Sequence, residues 1–299
     1  SSFNSDQLYK YSIYLFFISL ISLFLVPFIG VEVKGSKRWI DLFFLPRFQP
    51  IEVLKPFLII ILATILCDIR SNILFKYLIS IILISVISLL LIAQPDIGQT
   101  LLVVFCWAVL IFTSGINIYI LLAIFIAGAS LLTYLIIYVP RFDYIQGRIF
   151  SFFNRETGTH NFQSDKAIES ITSGGFFGKG IGEGVLKNRV PEAHTDYIIS
   201  VISEEFGVVA IMLILLLFLI LIYMVFKKIS FETNDKVKLI LIGSISLILM
   251  QATIHVGVNI RLFPTTGMTL PFLSYGGSSI ISTSILGGII LNLTKRKIT

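Results

Sequence analysis

The run 208–226 contains no charged residue, no proline and no glycine. It is close to the ~20 apolar residues that carry a helix through the hydrocarbon core of a bilayer. Similar runs recur along the chain, at about 12–30, 50–67, 73–93, 100–114, 116–139, 197–226, 239–260 and 278–293. A soluble core built from 299 residues has no use for so much apolar surface, yet hydrophobic residues make up 56% of the chain and the mean hydropathy is +0.94. A backbone in lipid must satisfy its own hydrogen bonds, and runs of this length do so as helices. The expected fold is therefore an all-α polytopic membrane bundle with about eight transmembrane helices.

The net charge of +6 does not point to nucleic acid in such a chain. Cations sort by side of the membrane, and some meet anionic lipid. Clusters at 227–238 and 295–297 read as cytoplasmic, which places 31–50, 94–98, 140–195 and 262–277 outside. The short outer loop 31–50 nevertheless carries Lys34, Lys37, Arg38 and Arg47. Either an anionic ligand meets them or they pair locally with Glu32 and Asp41. Cys67 and Cys106 both lie in apolar runs, so a disulfide framework is not expected. The chain opens on Ser1, and 12–30 lacks a small-residue cleavage site, so it reads as a span in a chain that starts partway into a longer protein.

Polar groups concentrate in a few places. Glu192, His194 and Asp196 alternate just before the sixth span, and Glu204 and Glu205 follow inside it. Carboxylates at that depth are costly and are kept for a task. Thr195 or Asp196 also suits a helix N-cap. A carboxylate at an apolar boundary suits a general base. Gly174, Gly175, Gly178, Gly180, Gly182 and Gly184 punctuate a segment that also holds Lys179 and Lys187. It is either a flexible outer loop or a backbone cradle for phosphate; the P-loop pattern fails, because Gly180 follows Lys179 where Ser or Thr is needed. Gln251, His255 and Asn259 recur every four residues as one helix stripe, for interhelical bonding or for lining a cavity. Arg261, one turn beyond, is expected to meet Asp96, Asp196 or an anionic headgroup. Glu52 and Lys55, three apart after Pro50, are placed to pair on one helix face. The stretch 264–279 is too rich in Pro and Gly for a plain helix and reads as re-entrant or surface-lying, with Trp39 and Tyr275 as interface anchors.

Four blocks together resemble the SEDS family (shape, elongation, division and sporulation). They are Gly35-Ser36-Lys37-Arg38-Trp39-Ile40 with Phe48-Gln49-Pro50-Ile51-Glu52; Gln94-Pro95-Asp96-Ile97-Gly98; Pro191-Glu192-Ala193-His194-Thr195-Asp196; and Pro264-Thr265-Thr266-Gly267 through Leu270-Pro271-Phe272-Leu273-Ser274-Tyr275-Gly276-Gly277-Ser278-Ser279. They span nearly the whole chain in the family's order and look more like its division branch. Ser36, Ile51, Tyr197 and Thr266 depart from the commoner family residues. The resemblance implies one transmembrane domain over 1–299, lacking the first two of ten spans, with 140–196 as the large extracytoplasmic loop. It implies a peptidoglycan glycosyltransferase that polymerises lipid II in the bacterial cytoplasmic membrane at the septum, beside a class B penicillin-binding protein and other divisome membrane proteins.

On that resemblance Asp196 is the general base for the acceptor 4-hydroxyl, and Glu192 and His194 orient or tune it. Lys37, Arg38, Lys179, Lys187 and Arg261 would meet the departing pyrophosphate. Trp39, Asp96, Thr265, Ser274, Tyr275 and Ser278 complete the expected substrate-binding set. A divalent cation such as Mg or Mn would assist, with no ligands assigned. Two other functions stay open: a lipid II flippase or transporter, and a non-catalytic division scaffold.

Overall fold

The computed structural model describes residues 5–33, 36–42, 45–68, 72–153 and 159–295. Lys34, Gly35, Arg296 and Lys297, counted above, lie outside the described residues. Among the described residues ten α-helices follow in order: α1 (Ser5–Ile29), α2 (Pro50–Leu66), α3 (Ile73–Ala93), α4 (Ile97–Thr113), α5 (Ile118–Tyr138), α6 (Asp143–Phe153), α7 (Thr159–Gly174), α8 (Ile198–Phe231), α9 (Asp235–Asn259) and α10 (Gly277–Thr294). All eight expected spans are helical. Among the described residues, α1, α3, α5, α8, α9 and α10 are long and apolar enough to cross a membrane, and α4 is a shorter apolar helix. The fold is that of an all-α polytopic membrane protein.

Two expected loops are structured. The segment 31–50 forms a three-stranded antiparallel sheet, β1 (Val31–Val33), β2 (Ser36–Leu42) and β3 (Leu45–Phe48), in the order β1-β2-β3. Val31 faces Trp39, and Ile40 faces Phe48. The sheet answers part of the charge question, since Glu32 lies opposite Lys37 and Arg47 Nε stands 2.9 Å from Asp41 Oδ2. The segment 140–196 holds α6 and α7, two helices that its polarity concealed.

The chain divides into two compact units. One comprises Ser1–Asn117, Ile222–Leu249 and Gly276–Thr299; the other comprises Ile118–Leu221 and Met250–Tyr275. In the first, α2 is the buried element. Pro50 sits in its first turn with Glu52, as helix N-termini prefer. Ile51, Leu54, Ile59, Ile60, Leu62 and Ala63 are almost fully enclosed. Lipid tails are as apolar as these side chains, so close packing rather than hydrophobicity holds such helices together. Gly243 of α9 provides it: a Cβ there would stand 2.7 Å from Ile59 Cγ2 and 3.0 Å from Leu110 Cδ2. Trp107 Nε1 of α4 donates to Ser80 Oγ of α3 at 3.3 Å.

In the second unit the governing feature is a break in α8. Gly207 has φ 76° and ψ −177°, which is not helical. In an unbroken helix Val208 and Val209 would donate to the carbonyls of Glu204 and Glu205. Instead the glycine-rich turn after α7 exchanges partners with them. Lys179 N donates to Glu204 O at 2.9 Å and Gly180 N to Glu205 O at 3.0 Å, while Val208 N donates to Gly175 O at 3.0 Å and Val209 N to Phe176 O at 3.3 Å. All four peptide groups freed by the break are satisfied, as a kink inside a membrane protein requires. The approach is backbone to backbone. A Cβ on Gly207 would lie 2.2 Å from Phe176 O, and one on Gly178 2.2 Å from Glu205 O.

Gly207→Ala should therefore destabilise the chain by about 2 kcal/mol or more, because it adds both a left-handed alanine and a backbone clash. Gly128→Ala, where a Cβ meets nothing within 4 Å, should leave the midpoint unchanged or raise it. Thermal denaturation in detergent compares the two; equal midpoints would contradict the exchange.

Candidate active site

The candidate base is placed by a turn and two clamps, all within the second unit. Glu192 takes φ 57°, a left-handed conformation that a residue other than glycine holds only against strain. Its carbonyl accepts from Thr195 N and Asp196 N, both at 3.1 Å, and from Tyr197 N at 3.3 Å. Thr195 Oγ1 donates to the Glu192 carboxylate at 3.0 Å. Tyr197 is buried beneath the turn, its hydroxyl 3.5 Å from Ser164 Oγ of α7. Glu192 and His194 face solvent, and Asp196 is half-buried.

The first clamp is the polar stripe of α9. Asn259 Nδ2 donates to Asp196 O at 3.0 Å and to His255 O at 2.9 Å. His255 Nδ1 lies 2.7 Å from Met268 O, and Gln251 Nε2 donates to Thr269 O at 3.1 Å. The stripe holds the backbone of the irregular segment after α9 and, at its end, the Asp196 turn. The second clamp is Ser274. Its Oγ accepts from Leu270 N and donates to Thr195 O, each at 2.7 Å. Next to it Tyr275 N donates to His194 O at 2.9 Å, leaving the Tyr275 ring exposed. Gly267, at φ 70°, passes under the carboxylate: a Cβ there would stand 3.5 Å from Asp196 Oδ2.

A second polar constellation lies in the first unit. Arg38 NH1 of β2 is 3.5 Å from Asp96 Oδ1, and the same guanidinium donates to the carbonyls of Gln94 and Pro95. Asp96 caps α4, accepting from Gln99 N at 3.4 Å, and also accepts from Gln49 Nε2 at 2.9 Å. Burial pushes the Asp96 carboxyl above the ordinary carboxylate range, and Arg38 pulls against that shift. Below it Lys55 Nζ pairs with Glu52 Oε2 at 2.8 Å and donates to Gln99 Oε1 at 3.1 Å, while Gln99 Nε2 donates to Glu52 Oε1 at 2.6 Å. Ser278 Oγ accepts from Gln49 N at 2.9 Å.

The family model described as "Cell cycle protein", for FtsW, RodA and SpoVE, matches residues 1–298. The chain belongs to this family. A probable peptidoglycan glycosyltransferase FtsW from Francisella salina is 36% identical over 293 residues, covering 93% of this chain and 71% of that protein. The one from Caulobacter vibrioides is 33% identical over 283 residues, covering 91% and 69%. Among solved structures, a chain from work on structural coordination of polymerization and crosslinking by a peptidoglycan synthase complex matches with TM-score 0.82 and 28% identity, over 98% of this chain and 83% of that one. Rod shape determining protein RodA of Thermus thermophilus matches with TM-score 0.67 and 28% identity, over 97% and 78%.

In this FtsW/RodA/SpoVE family member the expected site residues divide between the two units. Lys37, Arg38, Trp39, Asp96 and Ser278 fall in the first, with Lys37 exposed on β2. Asp196, Glu192, His194, Thr265, Ser274, Tyr275, Lys179, Lys187 and Arg261 fall in the second. Arg261 corrects an expectation. It pairs with Asp165 of α7 instead of Asp196, since it lies past the end of α9 at Asn259, where its own left-handed φ of 59° turns the chain. The glycine-rich segment packs on α8. Lys179 Nζ lies 3.6 Å from Glu204, Lys187 pairs with Glu205, and backbone N–H groups of Leu186 and Lys187 donate to the buried Glu204 carboxylate at 3.0 and 2.7 Å. The segment is a clasp on α8. Asn259 and Gln99 were not expected in the site; a four-residue polar spacing marked Asn259, and nothing in the sequence singled out Gln99. Among the described residues no three His, Cys, Asp or Glu side chains converge to hold a metal ion, so the expected divalent cation has no protein cage built from them.

The Glu52–Lys55 pair is enclosed, with Lys55 fully buried. Lys55→Met strands a buried carboxylate and should cost on the order of 3–5 kcal/mol, while adding Glu52→Leu should recover most of the loss. A double variant that melts no higher than the single one in detergent sinks this reading.

Proposed function

We propose that this chain polymerises lipid II into glycan strands at the division septum, within the bacterial cytoplasmic membrane, with Asp196 as the general base. The arrangement that carries the reading is the half-buried Asp196 carboxylate, held on a turn whose backbone is tied down at His194, Thr195 and Asp196. A base must sit within hydrogen-bond reach of the proton it takes, and a backbone fixed on three sides gives that precision without loop reordering. The relatives' names, peptidoglycan glycosyltransferase FtsW, supply the substrate class.

In the proposed step, the 4-hydroxyl of the acceptor sugar gives its proton to Asp196. Its oxygen forms a bond to the donor's anomeric carbon from the opposite face. The bond from that carbon to the pyrophosphate oxygen breaks, and the electron pair leaves with undecaprenyl pyrophosphate. The configuration inverts. The leaving group is already a weak base, so the step needs cations more than a strong acid. Lys37, exposed on β2, is suited to an anionic headgroup; Lys179, Lys187 and Arg261 already face carboxylates, and Arg38 faces Asp96. Glu192 and His194 support Asp196 through their backbone carbonyls. The partner proposed is a class B penicillin-binding protein that cross-links the product.

Asp196→Asn keeps every backbone anchor and removes the base. Lipid II polymerisation by the full-length protein with its partner should fall by about 10²-fold or more, with the melting midpoint and partner binding preserved. Strands of equal amount from both forms would remove Asp196 from the chemistry. No strands from either form, with partner binding intact, would favour the flippase or the scaffold.

A further inference from the structure

Within the clasp, Phe176, Phe177 and Ile181 are 75%, 84% and 78% exposed. Three large apolar side chains so close together and so bare form a patch that needs a partner. Hydrogen bonds fix its level along α8. Val208 N and Val209 N donate to Gly175 O and Phe176 O, so the turn stands beside the first residues of the uncharged run 208–226. That run ends at Lys227 and Lys228. At 1.5 Å per residue it covers roughly 28 Å, close to the ~30 Å thickness of the hydrocarbon core. With the two lysines at one boundary, the other falls at Val208. The patch is therefore level with a hydrocarbon boundary. It continues the bare apolar surface that α8 presents there through Phe206, Val208 and Val209. Lys179, in the same turn, has the long stem and charged head that suit headgroup level.

We propose that the turn 175–181 is a membrane anchor, inserting Phe176, Phe177 and Ile181 into the boundary between headgroups and acyl chains beside the start of α8. The occupant of the patch is lipid. Its backbone cannot carry these side chains away from that depth without releasing the four hydrogen bonds exchanged with α8, so lipid contact and the α8 kink are one unit. The proposal rests on α8 spanning the membrane and does not depend on the glycosyltransferase reading.

The test uses the full chain in nanodiscs of phosphatidylglycerol and phosphatidylethanolamine, with single nitroxide-labelled cysteines on a Cys67→Ser, Cys106→Ser background. Power saturation compares collisions with oxygen, which partitions into hydrocarbon, and with a water-soluble nickel chelate. A label at Phe177→Cys should show an oxygen-to-nickel ratio about five-fold or more above that of Glu183→Cys, an exposed position in the same segment. It should approach the ratio at Met212→Cys, a bare position further into α8. A ratio equal to that of Glu183→Cys places the turn in water and overturns the proposal. Exclusion of both reagents also overturns it, since protein would then cover the patch. Phe176→Cys gives an independent reading if Phe177→Cys fails to yield folded protein.

Discussion

A peptide group inside a bilayer has no water to turn to, and two irregular stretches of the second unit are arranged around that fact. Where α8 breaks at Gly207, two carbonyls and two amides come free, and the turn after α7 supplies two amides and two carbonyls in return. Where the chain leaves α9, side chains of that helix take up carbonyls of the following loop through Gln251 and His255. The candidate base sits between these two repairs. Its position follows from how the backbone around it is satisfied, and only then from its own side chain.

The same requirement explains the cluster of strained residues. Glu192, Arg261 and Phe272 all adopt left-handed backbone conformations. Each lies in a turn closed by local backbone hydrogen bonds, and contacts to other segments of the same unit hold it in place: Tyr275 N to His194 O, Ser274 Oγ to Thr195 O, and Arg261 to Asp165. Strain of this kind, of order 1–3 kcal/mol per residue, persists only where the surroundings over-determine the conformation. Glu192 opens the turn that carries Asp196, the candidate base, and Phe272 lies in the segment whose Ser274 clamps that turn.

Much of this architecture was legible from the residues. The apolar runs located eight helices, six of them, among the described residues, long and apolar enough to cross a membrane, because length and hydrophobicity set such a helix almost unaided. The pairing of Glu52 with Lys55 followed from their spacing. The motif blocks named Asp196 and Ser274 as candidates, and Ser274 does clamp the backbone beside Asp196. What could not be read was tertiary. The sheet at 31–48 depends on cross-strand pairing, and α6 and α7 are too polar to stand out by hydropathy. Arg261 found Asp165, 96 residues earlier in the chain, and no local pattern announces such a partner. Gly207 is an isolated glycine at the head of an apolar run, a signal that marks a possible break but not what mends it.

Ser274 joins Leu270 to Thr195 through one hydroxyl, and Asn259 joins α9 to the carbonyl of Asp196. Those contacts reach across more than sixty residues of sequence, from a turn made early to helpers made late. A chain emerging from the ribosome therefore inserts α8 with the Asp196 turn still unsupported. The Asp196 turn gains its second clamp only after the segment preceding α10 has been synthesised and folded back. A product truncated before that segment would carry Asp196 without Ser274 to hold its turn, so the order of synthesis sets when the candidate base is in place.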